Sequence, residues 1–284
     1  MEIVEKLRRA GWDSTILDEP RSVHNDDGLK FISYPAEAFD LIRSENVGFW
    51  ATHRFREFER LLKKYNRSTL VEVGAGSGAM AIPLHNAGFE VFAIEPVLAG
   101  TNHMVANGVT AIAAFLEDLK FPNSSISTLG IFDVLERIEN PCETVAEMHR
   151  IVEPGGLVFV SVPCGQWLWG SIDETLGHFR RYSCKSLIAL MEQNGFRRVQ
   201  TGYLFMSLVP VAFALRAVPY RLFQKSGHRV SVSNVKSQVA VGGAKALLIN
   251  IVLDAELLCS RFFRMPYGLS VTGVFEKAVT AKSD

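Results

Sequence analysis

One stretch constrains this chain more than any other. In Leu70-Val71-Glu72-Val73-Gly74-Ala75-Gly76-Ser77-Gly78 a short apolar run turns abruptly into alternating glycines and then into a segment with helical spacing. A buried strand ending in a glycine-rich turn at a helix N-terminus brings bare backbone N–H groups close to a ligand. Glycine accepts the positive φ such a turn needs and has no Cβ to hold the ligand away. The stretch therefore reads as a cofactor cradle.

Beyond it, apolar runs alternate with helical segments, the pattern of a parallel α/β sheet. The spacing predicts strands over 69–73, 89–94, 109–113, 126–132, 156–162, 196–204 and 270–276, and helices over 77–87, 97–106, 141–152 and 183–194. Pro154-Gly155-Gly156 and Asn194-Gly195 supply stop signals after the last two helices. Ahead of the cradle, 3–10 is a short amphipathic run and Leu29-Lys30-Phe31-Ile32-Ser33 is a candidate strand. From Glu37 to Tyr65 the apolar residues recur at helical spacing, broken near Gly48, which predicts two helices. Trp50, on the second, reads as a core residue with solvated neighbours in His53 and Arg54.

The segment 207–267 breaks the rhythm. In 243–264 the residues Leu247, Leu248, Ile251, Val252, Ala255, Leu258, Cys259 and Phe262 form one broad apolar face, with Asn250, Asp254, Arg261 and Arg264 opposite. Leu204 to Phe223 is apolar but interrupted by Pro210 and Pro219. The inserted segment holds eight Lys/Arg against two acids, whereas the whole chain balances 30 against 30. The expected organisation is an N-terminal helical extension over 1–66, an α/β domain over 67–206 and 268–284, and a helical cap over 207–267.

The neutral balance gives no global electrostatic case for nucleic acid. Cys142, Cys164, Cys184 and Cys259 form no Cys-x-x-Cys pair, which suits reduced thiols and offers neither a disulfide framework nor a metal site. The N-terminus shows no signal-peptide core, and no apolar run reaches the roughly 18–20 residues that span a bilayer. The expectation is a cytoplasmic protein, with peripheral contact at the inner face of the membrane as the further option.

By itself the glycine turn is ambiguous. Gly74-x-Gly76-x-x-Ala79 satisfies a nicotinamide or flavin dinucleotide fingerprint, and Glu95 falls at the spacing of an acid that holds ribose hydroxyls. A carboxylate on a ribose diol serves S-adenosylmethionine equally well. Glu72 before the turn makes the stretch resemble the E-x-G-x-G-x-G signature of class I S-adenosylmethionine-dependent methyltransferases. Phe132-Asp133-Val134-Leu135-Glu136-Arg137-Ile138-Glu139-Asn140-Pro141 and Glu147-Met148-His149-Arg150-Ile151-Val152-Glu153-Pro154-Gly155-Gly156 resemble two further segments of that superfamily, in order. Val162-Pro163, Trp167 to Asp173, and Gly177-His178-Phe179-Arg180-Arg181-Tyr182 are similar to a type 11/type 12-like subgroup with a GHxRRY motif. The resemblance covers about 45–205, and Pro266-Tyr267-Gly268-Leu269-Ser270 resembles the start of that subgroup's last strand.

The resemblance implies a Rossmann-like seven-stranded mixed sheet with a helical N-terminal segment, and a helical insertion before the last strand that caps the acceptor site. It implies S-adenosyl-L-methionine as cofactor and S-adenosyl-L-homocysteine as product. Glu72, Gly74, Ala75, Gly76 and Gly78 would shape the cradle, with Glu95 and Pro96 at the ribose, Phe115, Leu116 and Glu117 about the adenine, and Asp133 at the amino-acid end. The chain departs from the pattern at Arg137 (usually His), Ser127 (usually Asp) and Phe115 (often an acid). A nicotinamide-dependent oxidoreductase and a cofactor-binding protein without turnover are the alternatives.

In a parallel sheet the acceptor site belongs at the carboxyl ends of the strands. His178 is the candidate base, since its ordinary pKa lies nearest working pH, and fixing the loop is its other role. Arg180 and Arg181 suit a carboxylate or phosphate, or an ion pair with Asp173 or Glu174. Trp167 and Trp169 wall a pocket or close the core, Tyr182 completes the motif, and Asp133 either assists deprotonation or orients the cofactor. A basic, apolar cap suggests a small-molecule, lipid-linked or glycan-lipid acceptor that is anionic, or contact with an anionic membrane. The other readings of the cap are a dimer interface or an extension of the core.

Overall fold

The computed structural model describes residues 2–17, 48–223 and 243–279. The expected strand at 29–33 and the first helix from Glu37 lie outside them.

Helix α1 (Glu2–Arg9) and a 3-10 turn at Ser14–Leu17 precede helix α2 (Phe49–Lys64). Then come β1 (Thr69–Val73), α3 (Ala81–Asn86), β2 (Glu90–Ile94), α4 (Leu98–Ala106), β3 (Thr110–Ile112), β4 (Ile126–Phe132) and α5 (Pro141–Ile151). β5 (Val152–Pro163), α6 (Ser171–Thr175), α7 (Cys184–Gln193) and β6 (Phe196–Leu204) follow. The cap comprises α8 (Val209–Ala212), a π-helical turn at Phe213–Ala217, α9 (Val218–Phe223) and α10 (Gly243–Cys259), and β7 (Ser270–Lys277) closes the sheet.

The seven strands lie in the order β3-β2-β1-β4-β5-β7-β6. β1, β2, β3, β4 and β5 run parallel, and β7 is antiparallel to both β5 and β6. The chain winds outward from β1 through β2 to β3 and then returns to β4 on β1's other side. The crevice at this reversal opens beyond Val73 and Phe132, where open α/β sheets bind ligands. Strand residues alternate between two cores: Val71, Leu129 and Ile131 face one, Leu70, Phe132 and Phe159 the other.

α1 and Trp12 pack on the first face, where the Trp12 indole donates to the Leu119 carbonyl at 2.8 Å. α2 packs on the second through Phe58, Leu61 and Leu62. The N-terminal helices thus complete the two layers of the domain.

Most predicted strands and helices keep their bounds to within a residue; α10 ends at Cys259 rather than 264, and α3 and β5 shift at their starts. α3 starts at Ala81 rather than 77, because Pro83 has no N–H and fits a helix only in its first turn. β5 starts at Val152, and Pro154-Gly155-Gly156 forms an irregularity within it rather than a loop before it. Ile126 pairs with Val152 and Thr128 with Leu157, and Gly155 takes φ +78°.

Candidate active site

The glycine turn follows β1 directly. Gly74, Gly76 and Gly78 have φ of 69°, 59° and 83°, and a Cβ on Gly74 would lie 2.6 Å from a Val134 methyl. Gly74 and Ala75 donate to the Ile94 carbonyl at 2.8 and 3.1 Å, locking the turn to the end of β2. α4 presses on it from outside, and a Cβ on Gly100 would sit 2.1 Å from the Gly76 carbonyl oxygen.

Two buried carboxyls flank the turn. Glu95 accepts from the Gly76 and Val97 N–H groups at 2.7 and 2.9 Å and is 2% exposed. Each oxygen keeps a second lone pair for a ligand. Glu72 lies below the turn, its Oε2 without a hydrogen-bond partner among the described residues; burial, reinforced by the Glu95 charge, pushes its pKa up to about 8.

Asp133 follows β4 across the crevice, with φ 55°, a conformation aspartate tolerates better than most residues. Its backbone N–H donates to the Ser161 carbonyl at 2.9 Å, and its Oδ1 accepts from the Ser161 hydroxyl at 3.0 Å. Arg54 reaches in from α2 to form an ion pair with its other oxygen. The same guanidinium lowers the pKa of Glu72 and Glu136. Sequence reasoning left Arg54 in solvent. Its spacing on α2 placed it beside a core face, but nothing local showed that this side of the helix would overlie the sheet's carboxyl edge.

The segment after β5 folds around Asp173, which is 1% exposed. Asp173 Oδ2 accepts from the Gly170 N–H at 2.9 Å; Oδ1 accepts from His178 Nδ1 and Arg181 Nε, both at 2.8 Å. These partners hold its pKa below the usual carboxylate range despite burial, which acts the other way as the largest single cause. Arg181 also donates to the Cys164 carbonyl at 3.1 Å. His178 Nε2 is buried and faces Glu136 Oε1 at 3.8 Å. Burial lowers the His178 pKa and raises that of Glu136 to about 7.

A cleft of about 770 Å³, counting the space open to solvent at its mouth, joins the Arg54–Asp133 pair to Asp173, His178 and Arg181. Its polar lining includes Arg54, Asp133, Asp173, His178, Arg181 and Arg216, and its apolar walls include Trp50, Leu168, Ile172 and Leu269. Arg216 and Ala212 come from the cap, so the inserted segment does line this cleft.

Several expected site residues have other placements. His178 lines the cleft with Nδ1 held by Asp173 at 2.8 Å and Nε2 buried 3.8 Å from Glu136 Oε1. Arg180 is half-buried and donates to the Glu139 carbonyl at 2.6 Å, outside the cleft lining. Tyr182 is buried in the core, its hydroxyl donating to the Leu135 carbonyl at 3.2 Å. Trp167 and Trp169 do not form a wall: Gln166–Leu168 is a 3-10 turn rather than extended chain, so Leu168 faces the cleft while Trp167 is 45% exposed. Leu116 is a core side chain, leaving only its backbone for a ligand, whereas Phe115 and Pro96 are half-buried and Glu117 is exposed.

Residues 50–201 match a protein family described as "Methyltransferase domain". This chain belongs to the methyltransferase domain family. The matched region runs from α2 through most of β6, so Arg54, the glycine turn, Asp133 and the Asp173 cluster lie inside it, while the cap and β7 lie outside. The ubiquinone biosynthesis O-methyltransferase of Rickettsia conorii is 24% identical over 46% of this chain and 47% of its own length. An uncharacterised methyltransferase of Mycobacterium avium is 29% identical over 39% of this chain and 46% of its own. The chain spans about half the length of these curated relatives. A solved geranyl diphosphate C-methyltransferase of Streptomyces coelicolor aligns with 74% of this chain and 70% of its own, at 13% identity and a TM-score of 0.47.

Proposed function

We propose that this methyltransferase-family chain transfers a methyl group from S-adenosylmethionine to an anionic, partly apolar acceptor held in the cleft beneath the cap. The observation that carries the reading is the pairing at the sheet's reversal point of a glycine cradle with a cation and an anion, Arg54 and Asp133. The cradle suits a nucleoside, and the charge pair suits the carboxylate and ammonium of an amino-acid end. When bound, S-adenosylmethionine supplies an electrophilic methyl on a sulfonium that leaves as a neutral thioether.

The chain's part is then to bind, orient and exclude water, which supplies much of the rate in a displacement with its own leaving group. Gly74, Gly76 and Gly78 bring the backbone close, and Glu95 offers its remaining lone pairs to the ribose. Asp133 is engaged on both oxygens and acts as an anchor. Arg181 and Arg216, facing the cleft beside Leu168, Ile172 and Leu269, hold the anionic and apolar parts of the acceptor. An acceptor that attacks as an anion needs no base from the protein.

A nicotinamide-dependent oxidoreductase on the same glycines gives no role to the Arg54–Asp133 pair. Isothermal titration with S-adenosylhomocysteine and, separately, with a nicotinamide dinucleotide decides between them. Binding of the former alone is expected, and binding of the latter alone would refute the proposal.

A further inference from the structure

The sequence predicts that the helix at 243–264 buries its broad apolar face against a partner. The structure turns it the other way. α10 packs inward through Ile249, Leu253 and Leu257, which join Phe49, Trp50, Leu204, Phe205 and Leu269 in a small cap core. Its acids are engaged by neighbouring elements, Glu256 half-buried and Asp254 at the exposed edge of the contact with α2. Asp254 pairs with His53 and Arg56 of α2, and Glu256 accepts from the Met206 and Ser207 N–H groups at 2.7 and 2.8 Å and from the Ser207 hydroxyl at 2.6 Å. The predicted face is left outside: Leu247, Leu248 and Ile251 are 64%, 63% and 57% exposed, and Phe262 and Phe263, just beyond the helix, are 76% and 71% exposed.

Soluble domains rarely leave so continuous an apolar stripe uncovered, so this one marks a contact surface. Charge identifies the partner. Among the described residues the two acids of the cap are engaged by α2 and by the Met206 and Ser207 N–H groups, and Arg261 and Arg264 stand exposed at the aromatic end of this face. Two copies meeting in parallel would set these arginines against each other. An antiparallel pair would set them against helix N-termini, which also carry positive partial charge. Anionic lipid headgroups answer them, while Leu, Ile and Phe side chains enter the acyl boundary. No helix among the described residues is long and apolar enough to cross a membrane, so the stripe lies on the surface rather than through it.

We propose that the outer face of α10, with Phe262 and Phe263, docks this protein on membranes that carry anionic lipid. The inference stands apart from the methyl-transfer reading, because none of these residues lines the cleft.

The test is co-sedimentation of the full chain with phosphatidylcholine vesicles, with and without phosphatidylglycerol, alongside sedimentation velocity and S-adenosylhomocysteine titration. Binding to the phosphatidylglycerol vesicles is expected. Ile251→Asp combined with Phe262→Ser should weaken it by roughly tenfold or more. Arg261→Glu should weaken it on the order of fivefold, the equivalent of about 1 kcal/mol per basic residue at an anionic surface. Cofactor titration should be unchanged in both variants, which shows that they fold and separates this outcome from that of the methyl-transfer proposal. Absence of vesicle binding by protein that still titrates with cofactor would overturn the proposal. So would a dimer that the Ile251/Phe262 variant dissolves, which would assign the face to a second copy.

Discussion

Arg54 forms an ion pair with Asp133 and acts electrostatically on two further buried carboxyls, Glu72 at the end of β1 and Glu136 in the turn after β4. A guanidinium there serves two purposes: it offsets acids that would otherwise repel one another, and it offers donors to an anionic group entering the crevice. Arg54→Ala should therefore weaken S-adenosylhomocysteine binding by roughly 1.5–3 kcal/mol, the scale of a charged hydrogen bond. Isothermal titration measures this, and undiminished affinity would remove Arg54 from the cofactor site. Arg181 has a different reach. It lines the cleft while holding Asp173, so Arg181→Ala should impair acceptor turnover and leave cofactor affinity nearly intact. Loss of cofactor binding in that variant would show that the arginine serves the fold alone. Arg181→Lys should restore little, because a point charge cannot reproduce the contacts of the guanidinium to Asp173 and Cys164 together.

At the scale of elements, the cradle depends on two close approaches, α4 to the glycine turn and β1 to the turn after β4. Gly100 permits the first and Gly74 the second. Gly100→Ala places a methyl 2.1 Å from a backbone oxygen, which no rotamer can relieve, so α4 must move away from the turn. The expected cost is about 2–4 kcal/mol of stability, in the range of severe overpacking, with cofactor affinity lost alongside. Denaturant unfolding with and without S-adenosylhomocysteine would show both. A variant of native stability would show that α4 does not need this close approach to the turn. The Gly177 to Tyr182 motif works at the same scale. Its Arg180, Arg181 and Tyr182 bond to the Glu139, Cys164 and Leu135 carbonyls, and Tyr182 N–H donates to the Pro163 carbonyl at 2.8 Å. The motif thus clips together the segments after β4 and β5, and two of its side chains, His178 and Arg181, line the cleft.

For the whole molecule, the buried acids give stability a definite slope with pH. Glu72 and Glu136 titrate at about 8 and about 7 when folded, against an ordinary value of 4.5. Between the ordinary value and these raised ones the folded state holds protons that the unfolded state has released, so stability falls as pH rises. On the acid side the sign reverses. His178 is lowered from 6.5 and Asp173 from 3.8, so the unfolded chain takes up protons first and stability falls as pH drops. Glu136→Gln keeps the shape and removes the charge, and should raise stability by on the order of 2–3 kcal/mol at about pH 9 with less effect near pH 6. Urea unfolding at the two pH values checks it, and an equal effect at both would show that the carboxyl is not the titrating group.

Much of this architecture follows from short-range pattern. The apolar run before Gly74, the spacing of Glu72 and Glu95 about the turn, and the Asp133 and Pro154-Gly155-Gly156 segments placed the strands and the family's motifs, because strand burial, turn chemistry and helix stops are local properties of a chain. The partners of the site's charges were not local. Arg54 meets Asp133 and Asp254 meets His53 across long stretches of sequence, and whether Arg181 binds an acceptor or Asp173 depends on how two loops come together. The cap makes the same point. Helical spacing in 243–264 established that the segment has a broad apolar face, but periodicity carries no information about which side the fold will use. Only the packing of Leu253 and the pairing of Asp254 and Glu256 with neighbouring elements turned that face outward.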